Sequence, residues 1–249
     1  MKIYNLFGLE ITCGTYDEII QEIDNSIIAK KRFKLHNVNS YIILEANKNE
    51  EFKRELQKFS RLYIDGIGVY LGIKILHGRR VATNRITGTD LYYKILNYAI
   101  ETNSRVFFLG VNGLSKETIR SNIVSKFPSL VIAGIENDNG LDDHEVVEKI
   151  NHSATDILLV GLGTPKQEKF IIKNSDAISC PVQIAVGSGI EYIAGTKKRA
   201  PLIAQITGLE WLFRFFLEPK RLWRRYLFGI PHFMWLILKQ KLEATERVL

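Results

Sequence analysis

The stretch ILLVGLGTPKQE, at residues 157–168, joins a short apolar run to a glycine turn and then to the start of an amphipathic segment. The same order recurs at residues 105–113, where RVFFL is followed by GVNG. Short apolar runs of this kind fit strands that are buried on both faces, each followed by a helix. The sequence therefore predicts an α/β fold built on a parallel sheet.

The rest of the first 195 residues repeats this alternation. We expect a hairpin that pairs residues 2–5 with residues 10–13 across Phe7-Gly8. Further strands are predicted at residues 33–38, 62–64, 105–109, 130–135, 157–160 and 182–186, and helices at residues 16–31, 40–59, 66–77, 88–102, 114–126, 142–151 and 165–175. The pattern predicts a Rossmann-like sheet with helices on both faces, whose ligands bind beside the carboxyl ends of the strands.

Residues 196–249 differ in character, and we expect them to form a short helical C-terminal appendage to an α/β core of residues 1–195. Between residues 197 and 241 there are ten lysines or arginines and two acidic residues, although the whole chain has a formal net charge of +7. Pro219 and Pro231 cannot lie inside a regular helix, so three short helices are expected, with Gly229 as a stop between the second and the third.

The appendage also has an amphipathic pattern. At helical spacing Arg214, Arg221 and Arg225 share one stripe, and bulky apolar residues form the neighbouring one. An anionic membrane surface is the favoured partner, because interfacial helices carry this mixture of side chains. The alternatives are packing on the core, a homo-oligomer contact and, least favoured, a nucleic-acid surface. The longest apolar run, residues 227–238, is interrupted by Pro231 and is too short to cross a bilayer.

Composition limits the remaining classes of protein. With 249 residues, 46% of them hydrophobic and 24% charged, the chain is long enough for one sizeable α/β domain and an appendage. The N-terminal residues lack the continuous apolar segment of a signal peptide. Cys13 and Cys180 lie far apart in a chain without a Cys pair motif, so neither a zinc site nor a disulfide framework is indicated. A reducing, cytoplasmic location is expected.

The turn at residues 161–163 is a candidate anion site. It leads into a helix N-terminus, where free backbone N–H groups and the helix dipole attract anions, and Lys166 would add a positive charge. The alternative needs no ligand, because Thr164 as N-cap, Pro165 at the first helical position and Gln167 would form a capping box.

The turn from Gly110 to Gly113 is a weaker signal. It follows a predicted strand but lacks the full dinucleotide-binding fingerprint, and Ser115 could simply cap the next helix. Two glycine turns in one sheet favour a nucleotide ligand more than either turn does singly.

Two further loops carry charged side chains. Asp65 follows a short strand and precedes Gly66, which is a suitable place for a general base, although it could instead cap the following helix. Arg85 precedes a predicted helix and could clamp a diphosphate with its forked guanidinium. Alternatively, Arg85 is only a surface arginine. Thr87 would then cap the following helix, and Asp90 would be an acidic residue in its first turn.

Taken together, these motifs resemble the WecG/TagA/CpsF glycosyltransferases over nearly the whole chain. The resemblance rests on the order and approximate spacing of Asp65-Gly-x-Gly, Arg85-x-x-Gly-x-Asp90, Val160-Gly-Leu-Gly-x-Pro-Lys-Gln-Glu168, Val186-Gly-Ser-Gly189 with Ala194-Gly195, Lys198-Arg-Ala-Pro201, Gly208-Leu-Glu-Trp-Leu212 and Glu218-Pro-x-Arg221.

The resemblance implies an inverting, metal-independent bacterial enzyme with no cofactor. Such an enzyme transfers a sugar, N-acetylmannosamine or a related hexose, from a UDP-sugar to an undecaprenyl-diphosphate-linked sugar. The reaction takes place on the inner face of the plasma membrane, in surface polysaccharide or teichoic acid synthesis. The resemblance also assigns catalytic roles to Asp65 as the base, Arg85 as the group that stabilises the leaving diphosphate, and Gln167 and Asn39 as active-site amides.

Further residues are expected to bind the substrates. For the nucleotide and the sugars they are Asn37, Gly66, Asp90, Gly110, Gly113, Gly161, Gly163, Lys166, Gly187 and Glu191. For the membrane and the lipid diphosphate they are Arg214, Arg221, Arg224 and Arg225. The chain has no Asp-x-Asp motif, in agreement with metal-independent chemistry.

Three departures from the family pattern concern the donor sugar. Asn37 stands where relatives commonly have Thr, Glu191 stands where many have Asp, and residues 137–140 lack an aromatic pair. The identity of the donor sugar is therefore left open. A second reading, in which the chain is a non-catalytic nucleotide-binding module docked at the membrane, also stays open. A small dehydrogenase is disfavoured, because neither glycine turn reads Gly-x-Gly-x-x-Gly before a ribose-binding acid.

Overall fold

An N-terminal hairpin begins the fold in the computed structural model, which describes residues 1–78, 86–111, 114–137 and 142–246. Strands β1 (Lys2–Leu6) and β2 (Leu9–Cys13) pair in antiparallel orientation. Phe7 and Gly8 between them have φ angles of 53° and 82°, as the central residues of a tight hairpin turn require. The predicted hairpin is confirmed.

The other elements alternate along the chain as expected. The strands are β3 (Phe33–Val38), β4 (Arg61–Ile64), β5 (Arg105–Leu109), β6 (Val131–Glu136), β7 (Ile157–Val160) and β8 (Val182–Ala185). The helices are α1 (Tyr16–Ile28), α2 (Ser40–Lys48), α3 (Glu50–Leu56), α4 (Ile67–His77), α5 (Gly88–Glu101), α6 (Lys116–Lys126), α7 (Asp143–His152), α8 (Lys166–Asn174) and α9 (Gly189–Ile193).

Within the described residues, one sheet has the strand order β1-β2-β4-β3-β8-β7-β5-β6, and all pairings after the hairpin are parallel. The chain goes from β3 outward to β4, crosses to β5 and β6 on the other side, and returns through β7 to β8. The reversal of direction therefore lies between β3 and β8, the place where open parallel sheets bind ligands.

Alternate strand residues pack against helices on opposite faces of the sheet. In β7, Leu158 and Val160 join one hydrophobic core, whereas Ile157 and Leu159 join the other. Helices α2, α3, α4 and α8 cover the first face, and α1, α5, α6 and α9 cover the second. This alternation explains the short apolar runs of the sequence and confirms the α/β fold with helices on both faces.

Two helical predictions need correction. The helix expected at residues 40–59 is two helices, because Asn49 adopts an extended conformation between them and its side chain accepts a hydrogen bond from the Phe52 backbone N–H. The sequence did not predict α9, a five-residue helix after Gly187. Asn49 is a favourable N-cap for α3. Because an N-cap residue has non-helical φ and ψ angles, it also ends α2.

The appendage contains more helical elements than the three expected. They are α10 (Leu202–Thr207), α11 (Glu210–Leu217), α12 (Pro219–Trp223), a π-helical stretch (Arg224–Phe228) and α13 (Gly229–Glu246). Pro219 is at a first helical position, as predicted. Gly229 is not a stop, because its φ and ψ of −66° and −44° are helical. Pro231 has no N–H for the carbonyl of residue 227, and the π-helical stretch just before it accommodates that loss without ending the helix.

Helix α13 packs on the core beside α4. Phe233 and Ile237 are both 0% exposed and belong to the first hydrophobic core. A side-chain carbon at Gly72 of α4 would lie 2.9 Å from Ile237 Cδ1, so the glycine permits this close approach. Packing on the core is therefore correct for part of the appendage.

Other large apolar side chains of the appendage are exposed. They are Leu202, Ile203, Ile206, Leu209, Phe216, Leu217, Trp223, Leu227, Phe228, Trp235, Leu238 and Leu242. None of the described helices combines the length and the apolar character that a membrane span requires.

Candidate active site

A polar cavity of about 740 Å³ opens at the carboxyl ends of β3, β4, β7 and β8. The core contributes Asn37, Asn39, Asp65, Gly163, Gln167 and Gly187 to its lining, all of them predicted site residues, together with His36, Tyr92, Thr164 and Ser188. The appendage contributes Arg214, Arg221, Arg224 and Arg225, with Trp223, Phe228 and His232. The cavity therefore has one wall from each part of the chain.

Asp65 directly follows β4, and its carboxylate is held in a fixed orientation. Its Oδ1 accepts a hydrogen bond from the Gly88 backbone N–H at 3.0 Å, across the gap between two loops. Gly66, with a φ of 82°, is the cap residue of α4, and no side chain caps that helix. The alternative reading of Asp65 as a helix cap is therefore wrong, because the carboxylate bonds the start of α5 instead.

Two asparagines at the end of β3 have different roles. Asn39 caps α2, since its Oδ1 accepts hydrogen bonds from the backbone N–H groups of Tyr41 and Ile42 at 3.1 and 3.2 Å. Asn37 is 4% exposed and lines the polar cavity, and neither its Oδ1 nor its Nδ2 has a hydrogen-bond partner in the described protein. Buried amides are normally satisfied, so Asn37 has the hydrogen-bonding capacity to meet a ligand.

The loop before α8 differs from the predicted capping box. Helix α8 begins at Lys166 without a side-chain cap. The Thr164 hydroxyl donates to Oε1 of Glu168 at 2.8 Å, and the Gln167 amide group donates to the same oxygen at 3.1 Å. The predicted capping box is therefore wrong. The Thr164 hydroxyl and the Gln167 amide donate to the buried carboxylate of Glu168 instead of capping the backbone of α8.

The appendage arginines that line the cavity come from α11, α12 and the π-helical stretch. Arg214 lies over the Tyr192 ring, with its guanidinium carbon 5.0 Å from the ring centre, and Arg225 lies 4.5 Å from the centre of the Tyr41 ring. Arg221 pairs with Glu218 one helical turn away. These contacts fix the directions of the guanidinium groups through aromatic faces and an acid.

Burial and nearby charges shift the pKa values of the cavity side chains. Burial lowers the pKa of Arg225. Burial also acts to lower the pKa of Arg214, but Tyr192, Asp65, Tyr226 and Glu210 together outweigh burial, so the pKa of Arg214 is above its ordinary value. For Tyr92, burial is the largest cause of a raised pKa and Asp65 adds to it. Arginine stays protonated in proteins, so both guanidinium groups carry a positive charge near Asp65 in a partly desolvated site.

A second, apolar cavity of about 380 Å³ adjoins the polar one. Asn39, Asp65, Arg214 and Arg225 line both. The rest of the apolar cavity is formed by Gly66, Ile67, Leu71, Trp211, Tyr226, Ile230, Phe233 and Met234, with a few further residues. Asp65 thus lies where a basic, polar space meets an apolar one.

Two cations just before α10 join the core to the appendage. The Lys197 ammonium lies 2.7 Å from Glu191 of α9 and 3.1 Å from Glu218 of the appendage. Arg199 lies 2.6 Å from Asp90 of α5 and 3.7 Å from Glu210 of α11.

Glu191 and Asp90 were predicted to bind substrate, but they hold these cations and are not among the described lining residues of either cavity. Asp90 also accepts a hydrogen bond from the Thr87 hydroxyl at 2.5 Å.

Three other predicted binding residues also lie away from the two cavities. Gly110 and Gly161 allow a close approach of two loops, since a side-chain carbon at Gly110 would lie 2.8 Å from the carbonyl carbon of Gly161. Lys166 is exposed at the start of α8. Arg85 and Gly113 lie outside the described residues, so their roles stay predictions.

Several lining residues were not predicted from the sequence. Tyr92 lies on the buried side of α5, and His36 lies within β3. For His36, the sequence signal of a site residue was a polar side chain within a predicted buried strand. Among the described residues, no group of three or more His, Cys, Asp or Glu side chains could hold a metal ion. Metal-independent transfer stays a prediction.

The sequence comparison agrees with the motifs that build this site. The sequence profile described as "Glycosyl transferase WecG/TagA/CpsF family" matches residues 4–247, which is nearly the whole chain. The chain belongs to the WecG/TagA/CpsF family. It is therefore a glycosyltransferase, and the reading as a non-catalytic nucleotide-binding module is not supported.

Two relatives within the WecG/TagA/CpsF family have the same name, N-acetylglucosaminyldiphosphoundecaprenol N-acetyl-beta-D-mannosaminyltransferase. The protein from Bacillus spizizenii is 34% identical over 209 residues, which are 84% of this chain and 79% of that protein. The protein from Staphylococcus aureus is 31% identical over 240 residues, which are 95% of this chain and 92% of that protein.

Proposed function

We propose that this enzyme transfers N-acetylmannosamine, or a closely related hexose, from a UDP-sugar to a sugar linked to undecaprenyl diphosphate. The observation that carries the proposal is the position of Asp65, at the junction of the polar, arginine-lined cavity and the apolar cavity. A substrate with a sugar, a diphosphate and a lipid needs these three environments side by side. The names of the two relatives support this choice of acceptor and of transferred sugar.

Asp65 is the general base in this proposal. Its carboxylate takes the proton from the acceptor hydroxyl as the hydroxyl oxygen forms a bond to the anomeric carbon, and the bond from that carbon to the UDP oxygen breaks. Attack from the face opposite UDP inverts the anomeric configuration. The hydrogen bond from the Gly88 N–H holds Oδ1 and leaves Oδ2 to receive the proton.

The departing UDP and the acceptor diphosphate both carry negative charge that the site must balance. Arg85 is proposed for the leaving group, and Arg214, Arg221, Arg224 and Arg225 for the diphosphate of the acceptor. The appendage arginines line the polar cavity. Forked guanidinium groups bind phosphate oxygens in pairs, which suits this role better than the point charge of a lysine.

The acceptor also requires the enzyme to meet a membrane. We propose that the appendage docks on the anionic inner face of the plasma membrane through its exposed apolar side chains and its basic residues. The apolar cavity beside Asp65 is then the place where the first part of the lipid chain leaves the site.

A panel of UDP-sugars tests the proposal with full-length protein and a lipid-diphosphate-linked N-acetylglucosamine acceptor. Mass spectrometry of the lipid product should show the added mass of one N-acetylhexosamine, with UDP-N-acetylmannosamine as the best donor. The Asn37→Thr variant is the matched comparison. If the Asn37 side chain contacts the donor sugar, this variant should rank the donors in a different order from the wild type. Release of UDP without a heavier lipid product, for every donor, would rule out the proposed transfer.

A further inference from the structure

Three polar side chains at the edge of the polar cavity converge on a single buried oxygen atom. Oε1 of Glu168 accepts from the Thr164 hydroxyl at 2.8 Å and from the Gln167 amide at 3.1 Å, and it lies 2.7 Å from Nε2 of His36. All three partners line the polar cavity, whereas Glu168 is 0% exposed and is not among the described lining residues. A carboxylate placed behind three lining residues can act on substrate only through them.

The partners of Gln167 determine which way its amide group faces. A carboxylate only accepts hydrogen bonds, so the Gln167 NH₂ group must face Glu168. A backbone N–H only donates, and the Gly187 N–H lies 2.9 Å from Gln167 Oε1, so the carbonyl end must face the loop after β8. The orientation therefore follows from the chemistry of the partners at both ends.

This arrangement leaves a defined hydrogen-bonding capacity for a ligand. The Gln167 amide nitrogen also lies 3.5 Å from the Thr164 hydroxyl oxygen, the outer limit of a hydrogen bond, so its second N–H is at most weakly engaged and its carbonyl oxygen keeps part of its accepting capacity. The Thr164 hydroxyl donates its hydrogen to Glu168, so it can only accept a hydrogen bond from a ligand. If the amide of Gln167 turned over, the cavity would offer an acceptor where it now offers a donor.

We propose that Glu168 is a positioning residue for the transfer reaction, which sets the orientation of the Gln167 amide in the polar cavity. The inference rests on the proposed function for its kinetic test. Burial acts to raise the pKa of Glu168, but the hydrogen bonds from His36, Gln167 and Thr164 lower it below the ordinary value, which keeps the carboxylate in its accepting form.

A double-mutant cycle tests whether Glu168 acts through Gln167. Glu168→Gln replaces the accept-only group with an amide that can also donate, so Gln167 keeps its contact with the Gly187 N–H but loses the accept-only partner that fixes its NH₂ end. We expect kcat to fall by about 10²-fold, the usual effect of a misplaced active-site group. In the Gln167→Ala background the same change should lower kcat less than about threefold, because the group it orients is gone.

Glu22→Gln is the matched control. Glu22 also accepts several hydrogen bonds, from Arg61 and the Tyr63 hydroxyl, but it is not among the described lining residues of either cavity. It should change stability without changing kcat. If Glu168→Gln does not fold, Glu168→Asp replaces it in the cycle, since it keeps the charge and withdraws the oxygen from its three partners.

Two kinetic outcomes would overturn the inference. One is an equal loss of kcat from the Glu168 change in both backgrounds, and the other is an unchanged kcat in a folded single variant. A measurement without turnover separates this inference from the proposed function. The side-chain amide signals of Gln167, assigned by their loss in Gln167→Ala, should be protected from hydrogen exchange in the wild type and unprotected in Glu168→Gln. Equal protection would contradict the inference even if no sugar transfer is found.

Discussion

The guanidinium carbon of Arg225 lies 4.5 Å from the centre of the Tyr41 ring, which joins the appendage to the first turn of helix α2. That turn is capped by Asn39, a neighbour of Asp65 in both cavities. The contact therefore brings a cation from the end of the chain to the predicted base near its beginning.

Removing appendage arginines from the polar cavity should weaken binding of the lipid-linked acceptor. Because hydrogen bonds to charged groups contribute about 1.5–3 kcal/mol, Arg214→Ala or Arg225→Ala should raise the KM for this acceptor by about tenfold or more. Arg32→Ala is the control, since Arg32 lies outside the appendage, pairs with Asp176 and is not among the described lining residues of either cavity. Equal KM values in all of these proteins would mean that Arg214 and Arg225 do not bind the acceptor.

The exposed face of α10 should contribute to membrane docking. Ile203 and Ile206 are 77% and 73% exposed, so changing both to Ser should leave the melting temperature nearly unchanged. Flotation with anionic vesicles should show weaker binding for the double variant, and wild-type binding should decrease as salt is added. Undiminished flotation of the variant would mean that α10 does not reach the bilayer.

Packing of α13 on α4 should make the two glycines of α4 respond differently to alanine. A side-chain carbon at Gly72 would lie 2.9 Å from Ile237, whereas one at Gly68 would lie 3.7 Å from Ser40 in ordinary contact. Both substitutions gain helix propensity, but Gly72→Ala must also displace buried side chains, so it should be less stable than Gly68→Ala by about 1 kcal/mol or more. Urea unfolding measures the difference, and equal stabilities would place α13 away from Gly72.

The hydrogen bonds of Glu168 should make the protein sensitive to acid. Because its pKa in the folded protein is lower than the ordinary value of 4.5, ionised Glu168 stabilises the folded state above that pH. This stabilisation is lost as the pH falls through the folded-state pKa. The free energy of unfolding, measured between about pH 3 and pH 5, should depend less steeply on pH in Glu168→Gln than in the wild type. Parallel curves would mean that Glu168 has the same pKa in both states.

Most of the α/β fold could be predicted because its strands are buried on both faces and their apolar runs are short. All the strand limits agree with the structure within one residue. The Gly229 stop failed because a local signal, glycine before proline, was outweighed by the packing of Phe233 and Ile237 on the core. Tertiary burial of this kind is invisible to a local pattern.

Asp65 could be predicted from its position directly after a strand, whereas Asn39 and Gln167 were implied by the family resemblance, and all three line the polar cavity. The candidate site was not predictable where the partner is distant in sequence. Asp90 and Glu191 have the right residue types in the right loops, but Arg199 and Lys197 occupy them. The Glu168–His36 pair joins α8 to β3 across 132 positions, and no spacing rule indicates it.

Transfer of a labelled sugar from UDP-N-acetylmannosamine to a lipid-diphosphate-linked N-acetylglucosamine, compared between the wild type and Asp65→Asn, tests the proposed reaction most directly. The asparagine can still accept the hydrogen bond from Gly88 but cannot take a proton, so the fold and UDP binding should be retained. Turnover should fall by about 10² to 10⁴-fold, the contribution of a positioned base. Equal turnover in the two proteins, at matched thermal stability, would contradict the role of Asp65 and the chemistry built on it.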